Sequence, residues 1–270
     1  MLAGDALRRR GRPGHRVQVE SLGVDNKGLN AFLDPACPQL LPASRRARLS
    51  HAGLRGLALT FALLCAMVAD SSVLAWDQDR MLAAAQRTGP GAVAGVRALQ
   101  PLLVASMALD DLAKLAAIND FFNRRIVFRD DLEVWQQVDY WASPLETLNQ
   151  GQGDCEDYAV AKYFSLLALG LPTAKLRLVY VRAEMGGPGG AQMPHMVLAY
   201  YGAPGAEPMI LDNLIGELRS ASRRPDLTPV FSFNSEGLWQ GVGGASAGDP
   251  VARLSRWRGV LAKARTEGFQ

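Results

Sequence analysis

An uninterrupted apolar run at residues 57–69 divides this 270-residue chain near its first quarter. Four arginines within residues 45–55 precede the run, and Val73-Leu74-Ala75 follows it with small side chains where a signal peptidase reads. A basic region, a short apolar segment and an A-x-A-like site together are typical of a secretory signal peptide. A spanning helix needs about 20 apolar residues, so this run is short for a membrane span. The alternative interpretation is a buried core helix.

The sequence therefore predicts two parts: an N-terminal extension with a cleavable signal peptide over 1–75, and one mature domain over 76–270. The mature protein is expected to begin near Trp76 and to lie in the periplasm. Residues 1–75 hold ten Arg and Lys against five Asp and Glu, whereas the remainder holds nineteen against twenty-one. The basic excess lies wholly in the first part, so charge gives no argument for a nucleic-acid partner.

Residues 76–270 contain one cysteine, Cys155, and one histidine, His195. A single cysteine cannot form a disulfide within the domain, and a zinc cluster of cysteines and histidines is excluded by count. Exported proteins usually pair their cysteines, so a single thiol is a candidate for reactivity.

The spacing of apolar residues predicts an α+β fold. Helices are predicted over 78–88, 95–118, 155–169 and 251–262, and strands over 175–183, 196–201 and 209–212. Asp130-Asp131 suggests a short strand and turn within 124–135. Loops are predicted over 139–153 and 186–190, with a flexible connector over 241–248. Helices come first, and the helix at 155–169 is followed by several adjacent strands.

Cys155 begins the helix at 155–169, where free N–H groups and the helix dipole favour a thiolate. His195 opens one strand and Asp212 ends the next, so an antiparallel hairpin would bring them to one end of the sheet. A nucleophile, a base and a carboxylate that orients the base make a catalytic triad. The alternative is a buried structural cysteine and an unrelated polar histidine.

Three acids flank the cysteine: Asp154, Glu156 and Asp157. One interpretation is helix capping, with Asp154 at the N-cap and the others facing the positive end of the dipole. The other is a site for a hard cation such as Ca²⁺, which binds six to eight oxygens. Three uncompensated acids would also raise the pKa of the thiol. Spacing alone leaves both interpretations open.

Three segments carry a resemblance to a known family: Gly-Asp-Cys-Glu-Asp-Tyr-Ala at 153–159, Asp-Tyr-Trp-Ala-Ser-Pro-Leu-Glu-Thr-Leu at 139–148, and Pro-His-Met-Val-Leu-Ala at 194–199. Segments at 211–214, 221–227 and 229–234 extend it to roughly residues 105–240. The chain resembles the bacterial transglutaminase-like cysteine proteinases. The resemblance implies a papain/transglutaminase-like fold, with the catalytic helix packed on an antiparallel sheet.

The resemblance also implies a triad of Cys155, His195 and Asp212, and a calcium site that includes Asp154 and Glu156. Asp139 is a further guess for a ligand. The implied activity is a calcium-dependent periplasmic endopeptidase that cuts a large cell-surface adhesin near its N-terminus and frees cells from a biofilm.

The implied partner is an inner-membrane receptor that senses cyclic di-GMP and sequesters the protease. Two other functions remain open: a transglutaminase or amidase that uses the same triad for acyl transfer, and a non-enzymatic binding module.

Overall fold

The structure is a computed structural model that describes residues 76–269. Its first part is helical, with α1 at Gln78–Thr88, α2 at Pro90–Ser106 and α3 at Asp111–Arg125. The prediction of one helix over 95–118 is wrong, because a turn separates α2 from α3 within this range. Asp110 is the N-cap of the second helix, α3. Its side chain accepts a hydrogen bond from the N–H of Ala113 at 2.8 Å.

Short elements lead from α3 to the site: β1 at Val127–Phe128, α4 at Asp131–Val134, α5 at Pro144–Gln150 and β2 at Gln152–Gly153. β1 pairs with β2 in parallel. The predicted loop over 139–153 therefore contains a helix. Ser143 and Glu146 form a capping box at its start, and Gly151 ends it in the left-handed conformation, with φ of 62°.

Helix α6, Cys155–Ala168, follows β2 directly and is the central helix of the domain. It contacts α3 and α5 on one side and strands β3 and β4 on the other. Most of its side chains are buried as a result, including Tyr158, Tyr163 and Leu166. Its N-terminus is thereby fixed between the helices and the sheet.

Seven strands form one antiparallel sheet in the order β6-β5-β4-β3-β7-β8-β9. They are β3 Leu176–Met185, β4 Ala191–Tyr200, β5 Met209–Leu211, β6 Arg219–Ser220, β7 Leu227–Phe233, β8 Leu238–Gln240 and β9 Ser246–Gly248. Strands β3, β4 and β5 were predicted, with β4 longer than expected. The flexible connector predicted over 241–248 contains β9.

The chain ends with α7 at Pro250–Arg253 and α8 at Ser255–Thr266, so the predicted helix over 251–262 is interrupted at Leu254. Trp257 of α8 packs against Tyr163, Phe164 and Phe233 and joins this helix to the core. Trp76 forms an antiparallel bridge with Phe269. The prediction of an α+β fold with the Cys155 helix packed on an antiparallel sheet is confirmed.

The predicted signal peptide, its cleavage site and the rest of residues 1–75 lie outside the described residues. Within residues 76–269, every helix is too short or too polar to cross a membrane.

Candidate active site

Cys155 is the first residue of α6 and is half-buried. Its thiol donates a hydrogen bond to Glu156 Oε2 at 2.9 Å. Burial raises the pKa of the thiol well above its usual value, and the charges of Glu156 and Asp154 raise it further. The backbone N–H of Met196 acts in the opposite direction. Burial and the neighbouring acids thus both act against the thiolate that a helix N-terminus was predicted to favour.

His195 and Asp212 form a buried pair, with His195 Nε2 2.8 Å from Asp212 Oδ1. The sheet register explains the pair. Leu198 of β4 lies opposite Leu211 of β5, so Asp212 leaves β5 beside the part of β4 that carries His195. The backbone N–H of Met196, the residue after His195, lies near the Cys155 sulfur, so the His195–Asp212 pair lies close to the start of α6. Nδ1 is the ring nitrogen of His195 that Asp212 does not engage.

Asp212 is held in its ionised form. Burial raises the pKa of this carboxyl, but hydrogen bonds from His195 and Leu214 and the nearby Arg224 together lower it to about 2. Leu214 N–H donates to Oδ1 at 3.0 Å, and Asn123 Nδ2 donates to the Asp212 carbonyl at 2.8 Å. An ionised carboxylate can only accept a hydrogen bond, so Asp212 favours the tautomer of His195 that carries its proton on Nε2.

Five acids surround the start of α6: Asp131, Asp139, Asp154, Glu156 and Asp157. Asp131, Asp154 and Asp157 each place a ligand oxygen within 4.8 Å of the others, and so do Asp131, Asp139 and Glu156. Asp154 occupies the N-cap position, but its side chain makes no capping hydrogen bond. The capping interpretation is therefore wrong for Asp154.

Four oxygens of this cluster are buried without a hydrogen-bond partner among the described residues: Asp131 Oδ1, Asp139 Oδ1, Asp154 Oδ1 and Asp157 Oδ2. Burial and the neighbouring acids raise the pKa of Asp154 to about 11, and burial likewise raises that of Asp131 to about 7. Buried carboxylates without partners are costly unless a cation joins them. An all-oxygen donor set fits Ca²⁺.

Two site residues were missed from the sequence. Asp131 belongs to the pair Asp130-Asp131, which was interpreted only as a turn, although its side chain is buried at 4% exposure. Arg224 lies in the segment 221–227 that carried part of the resemblance, but an arginine in a loop gave no signal of a buried contact. Asp139, named only as a guess, does lie in the acid cluster.

Comparisons with known proteins identify the family of this chain. Residues 99–226 match a family model described as bacterial transglutaminase-like cysteine proteinase BTLCP. Calcium-bound LapG from Legionella pneumophila is 34% identical, with a TM-score of 0.60, and the match covers 69% of this chain and 98% of that one. An EGTA-treated form of the same protein is also 34% identical, with a TM-score of 0.61 over 70% and 97%. A comparison with curated protein sequences finds no match.

A relative at this level of identity, matched over nearly its whole length, shares the fold and the family with this chain. The chain belongs to the bacterial transglutaminase-like cysteine proteinases and is a cysteine peptidase similar to LapG.

Proposed function

We propose that this cysteine peptidase is a calcium-dependent periplasmic endopeptidase that cleaves a large cell-surface adhesin near its N-terminus. The observation that carries the proposal is the cluster of buried, unpartnered carboxylate oxygens beside Cys155 and the His195–Asp212 pair. The similarity to LapG, of which one structure is calcium-bound, supports the metal. The resemblance of the sequence to the family supports the adhesin substrate.

Cys155, His195 and Asp212 are the proposed catalytic residues. His195 Nδ1 takes the thiol proton, and the Cys155 sulfur attacks the scissile carbonyl carbon. The protonated imidazole then gives its proton to the leaving amine, and water hydrolyses the thioester and restores the thiol. Asp212 holds the Nε2–H throughout and stabilises the positive imidazole. The free backbone N–H of Cys155, at a helix N-terminus, is placed to stabilise the oxyanion.

Asp154 and Glu156 are the proposed calcium ligands on either side of the cysteine, and Asp131 is the ligand that joins both groups of acids. Ca²⁺ held by these residues would supply positive charge that offsets the acids around a sulfur that must become anionic. With their charge offset, these side chains would fix the entry to α6 without repelling the thiolate.

A receptor in the inner membrane that senses cyclic di-GMP is the proposed partner, and sequestration of the protease is its proposed effect. This regulation and the periplasmic location rest on the family resemblance and on the predicted signal peptide. N-terminal sequencing of protein from a periplasmic extract should give a chain that begins near Trp76. An intact chain that begins at Met1 in the cytosol would contradict the location.

The variant Cys155→Ala should lose proteolysis while it keeps the fold. Triad knockouts in other proteases cost about 10⁶ in kcat, whereas removal of one small buried group costs on the order of 1 kcal/mol in stability. Cleavage of an adhesin fragment, followed by mass spectrometry, measures the activity, and thermal melting checks the fold. Substantial cleavage by a folded variant would show that the nucleophile is wrong. A product that gains mass from an added primary amine would instead indicate transferase activity.

Calcium removal should stop cleavage. EGTA is expected to abolish activity, and Ca²⁺ should restore it better than Mg²⁺, which demands near-octahedral ligands. Asp131→Asn should weaken Ca²⁺ binding in calorimetry, because it removes charge from a buried ligand. Asp130→Asn is the matched control, since Asp130 is exposed and its side chain caps nothing. Unchanged cleavage in EGTA together with no heat of Ca²⁺ binding would rule out the metal site.

A further inference from the structure

Arg224 is a buried cation that touches the carboxylate of Asp212. Its side chain is 2% exposed, and its NH2 nitrogen lies 2.8 Å from Asp212 Oδ2. The same guanidinium donates three hydrogen bonds to Asp226: Nε to Oδ1 at 3.0 Å, Nε to Oδ2 at 3.2 Å and NH2 to Oδ2 at 2.8 Å. Arg224 therefore lies between a fully buried carboxylate and a partly exposed one.

The two carboxylate oxygens of Asp212 have different partners. Oδ1 accepts from His195 Nε2 and from the N–H of Leu214. Oδ2 faces Arg224, and that contact is an ion pair rather than a well-aligned hydrogen bond. The carboxylate thus has its orientation set on one side by the imidazole and on the other by the guanidinium.

The remaining charges near Asp212 do not replace Arg224. Lys162 of α6 is also buried and interacts with Asp212, but burial lowers the pKa of Lys162 to about 7. Burial therefore weakens Lys162 as a counter-ion for Asp212. Asp226 is negative, so its direct effect on Asp212 is repulsive and it cannot stabilise the Asp212 carboxylate itself. An arginine stays charged at every working pH, and its planar fork can hold two carboxylates at once.

We propose that Arg224 is a positioning residue of the active site, which Asp226 holds in place so that it keeps Asp212 ionised and turned towards His195. The inference rests on the proposed function, because it requires Asp212 to orient the catalytic imidazole. It also assigns a role to the Arg224-Pro225-Asp226 segment, which the triad and the calcium site do not use.

Removal of Arg224 should act on the rate and on its pH dependence, while substrate binding stays unchanged. A buried carboxylate without a counter-ion favours its protonated form, and loss of an adjacent opposite charge raises a carboxyl pKa by about 1–3 units. Arg224→Gln is therefore expected to move the acid limb of the kcat/KM profile up by about one unit. By analogy with outer-sphere partners of metal-binding histidines, kcat should fall about 10–100-fold. KM should stay unchanged, because the side chain is buried.

The experiment compares Arg224→Gln, Arg224→Lys and Arg223→Gln in calcium-saturated protein, with the adhesin fragment that the wild type cleaves as substrate. Arg223 is exposed and one residue away, so the same substitution there should leave kcat and the acid limb unmoved. Arg224→Lys keeps the positive charge and should keep the acid limb of the wild type. It should lose part of kcat, because an ammonium lacks the planar donors that contact both carboxylates.

Arg224→Gln leaves two carboxylates without their partner, so thermal melting first checks its fold, and a second variant covers the case in which it is unfolded. Asp226→Asn is then the decisive variant, because it keeps the charge of Arg224 but removes the ion pair that holds the guanidinium. Its kcat should fall, and the acid limb of its kcat/KM profile should move in the same direction as in Arg224→Gln but by less. A folded Arg224→Gln or Asp226→Asn variant with the kcat and acid limb of the wild type would overturn the inference. So would an acid limb in Arg224→Lys that matches Arg224→Gln. A wild type that fails to cleave, or an active Cys155→Ala variant, would instead overturn the proposed function.

Discussion

Glu267 is a carboxyl buried where the C-terminal end of α8 meets the start of α5. Ser143 Oγ donates to its Oε1, and the N–H of Leu145 donates to Oε2 at 3.2 Å. Burial raises the pKa of Glu267 from 4.5 to about 7, although these two donors act against the rise. The folded protein therefore holds a proton here that the unfolded chain has already released.

The substitution Glu267→Gln should change how stability depends on pH. Between about pH 4.5 and 7 the native state binds more protons at this site than the unfolded state, so stability falls as pH rises and levels off above 7. The variant lacks this component. Its unfolding free energy relative to the wild type should be higher at pH 8 than at pH 5, by up to roughly 3 kcal/mol. Urea unfolding at the two pH values measures the difference.

The exposed Glu236 supplies the control, since Glu236→Gln should give the same difference from the wild type at both pH values. Curves for Glu267→Gln that run parallel to the wild type from pH 5 to pH 8 would contradict the assignment of a raised pKa.

Cys155 and His195 could be recognised from the sequence, because residues 76–270 contain one cysteine and one histidine. The acids beside the cysteine were equally visible. Glu267 and Arg224 were not, since their roles depend on contacts that join distant parts of the chain. Glu267 meets Ser143, which is 124 residues away, and only the packed fold brings them together.

At the scale of elements, the contact between α2 and α5 depends on a glycine. A Cβ added to Gly95 would lie 2.7 Å from Leu148 Cβ, closer than real Cβ contacts. The absent side chain lets α5 approach α2, and α5 in turn leads into β2 and the start of α6. The helical layer thus sets the position of the segment that carries Cys155.

Gly95→Ala should destabilise the domain, because one of the two helices must shift. Overpacking of a core typically costs about 1–3 kcal/mol, which exceeds the gain of up to about 1 kcal/mol in helix propensity. Gly259→Ala in α8 is the matched control: that glycine is exposed, nothing lies within 4 Å of its added Cβ, and the substitution should stabilise. Denaturant unfolding of both variants tests the contrast. Equal stabilisation by the two substitutions would show that α2 and α5 are not closely packed.

Long helices and long strands were predictable, whereas the interruptions between helices, the short helix α5 and the short strands were not. β7 contains Pro229, where its register with β3 shifts, and a proline argues against a strand in sequence. β6, β8 and β9 have only two or three residues each, too few for a recognisable alternation. Pairing with neighbours, which sequence patterns do not contain, makes them strands.

At the scale of the whole molecule, the two ends of the described chain are joined. Trp76 is 1% exposed and bridges Phe269, and the N–H of Asp77 donates to the carbonyl of Gly268 at 2.9 Å. The Trp76 side chain belongs to the hydrophobic core together with that of Phe269. The predicted cleavage after Ala75, which stays a prediction, would retain this tryptophan in the domain.

Trp76→Ala should lower the free energy of unfolding by about 3–5 kcal/mol, the usual cost of deleting a buried aromatic side chain. Gln78→Ala, at an exposed position two residues further on, should change it by less than about 0.5 kcal/mol. Urea unfolding followed by circular dichroism compares the two. If both variants unfold at the same urea concentration as the wild type, Trp76 does not contribute to the core.

Because Trp76 and Phe269 are neighbours, a short linker could close the domain into a ring, and the ring could be reopened elsewhere. The Gly-Gly-Pro-Gly-Gly loop at 186–190 is exposed and suits new termini. Such a circular permutant would begin with β4 and end with β3. Its proposed catalytic residues would occur in the order His195, Asp212, Cys155. Unrelated proteases form the same triad geometry with its three residues in different orders along the chain. The permutant would give a second order of these residues within one fold.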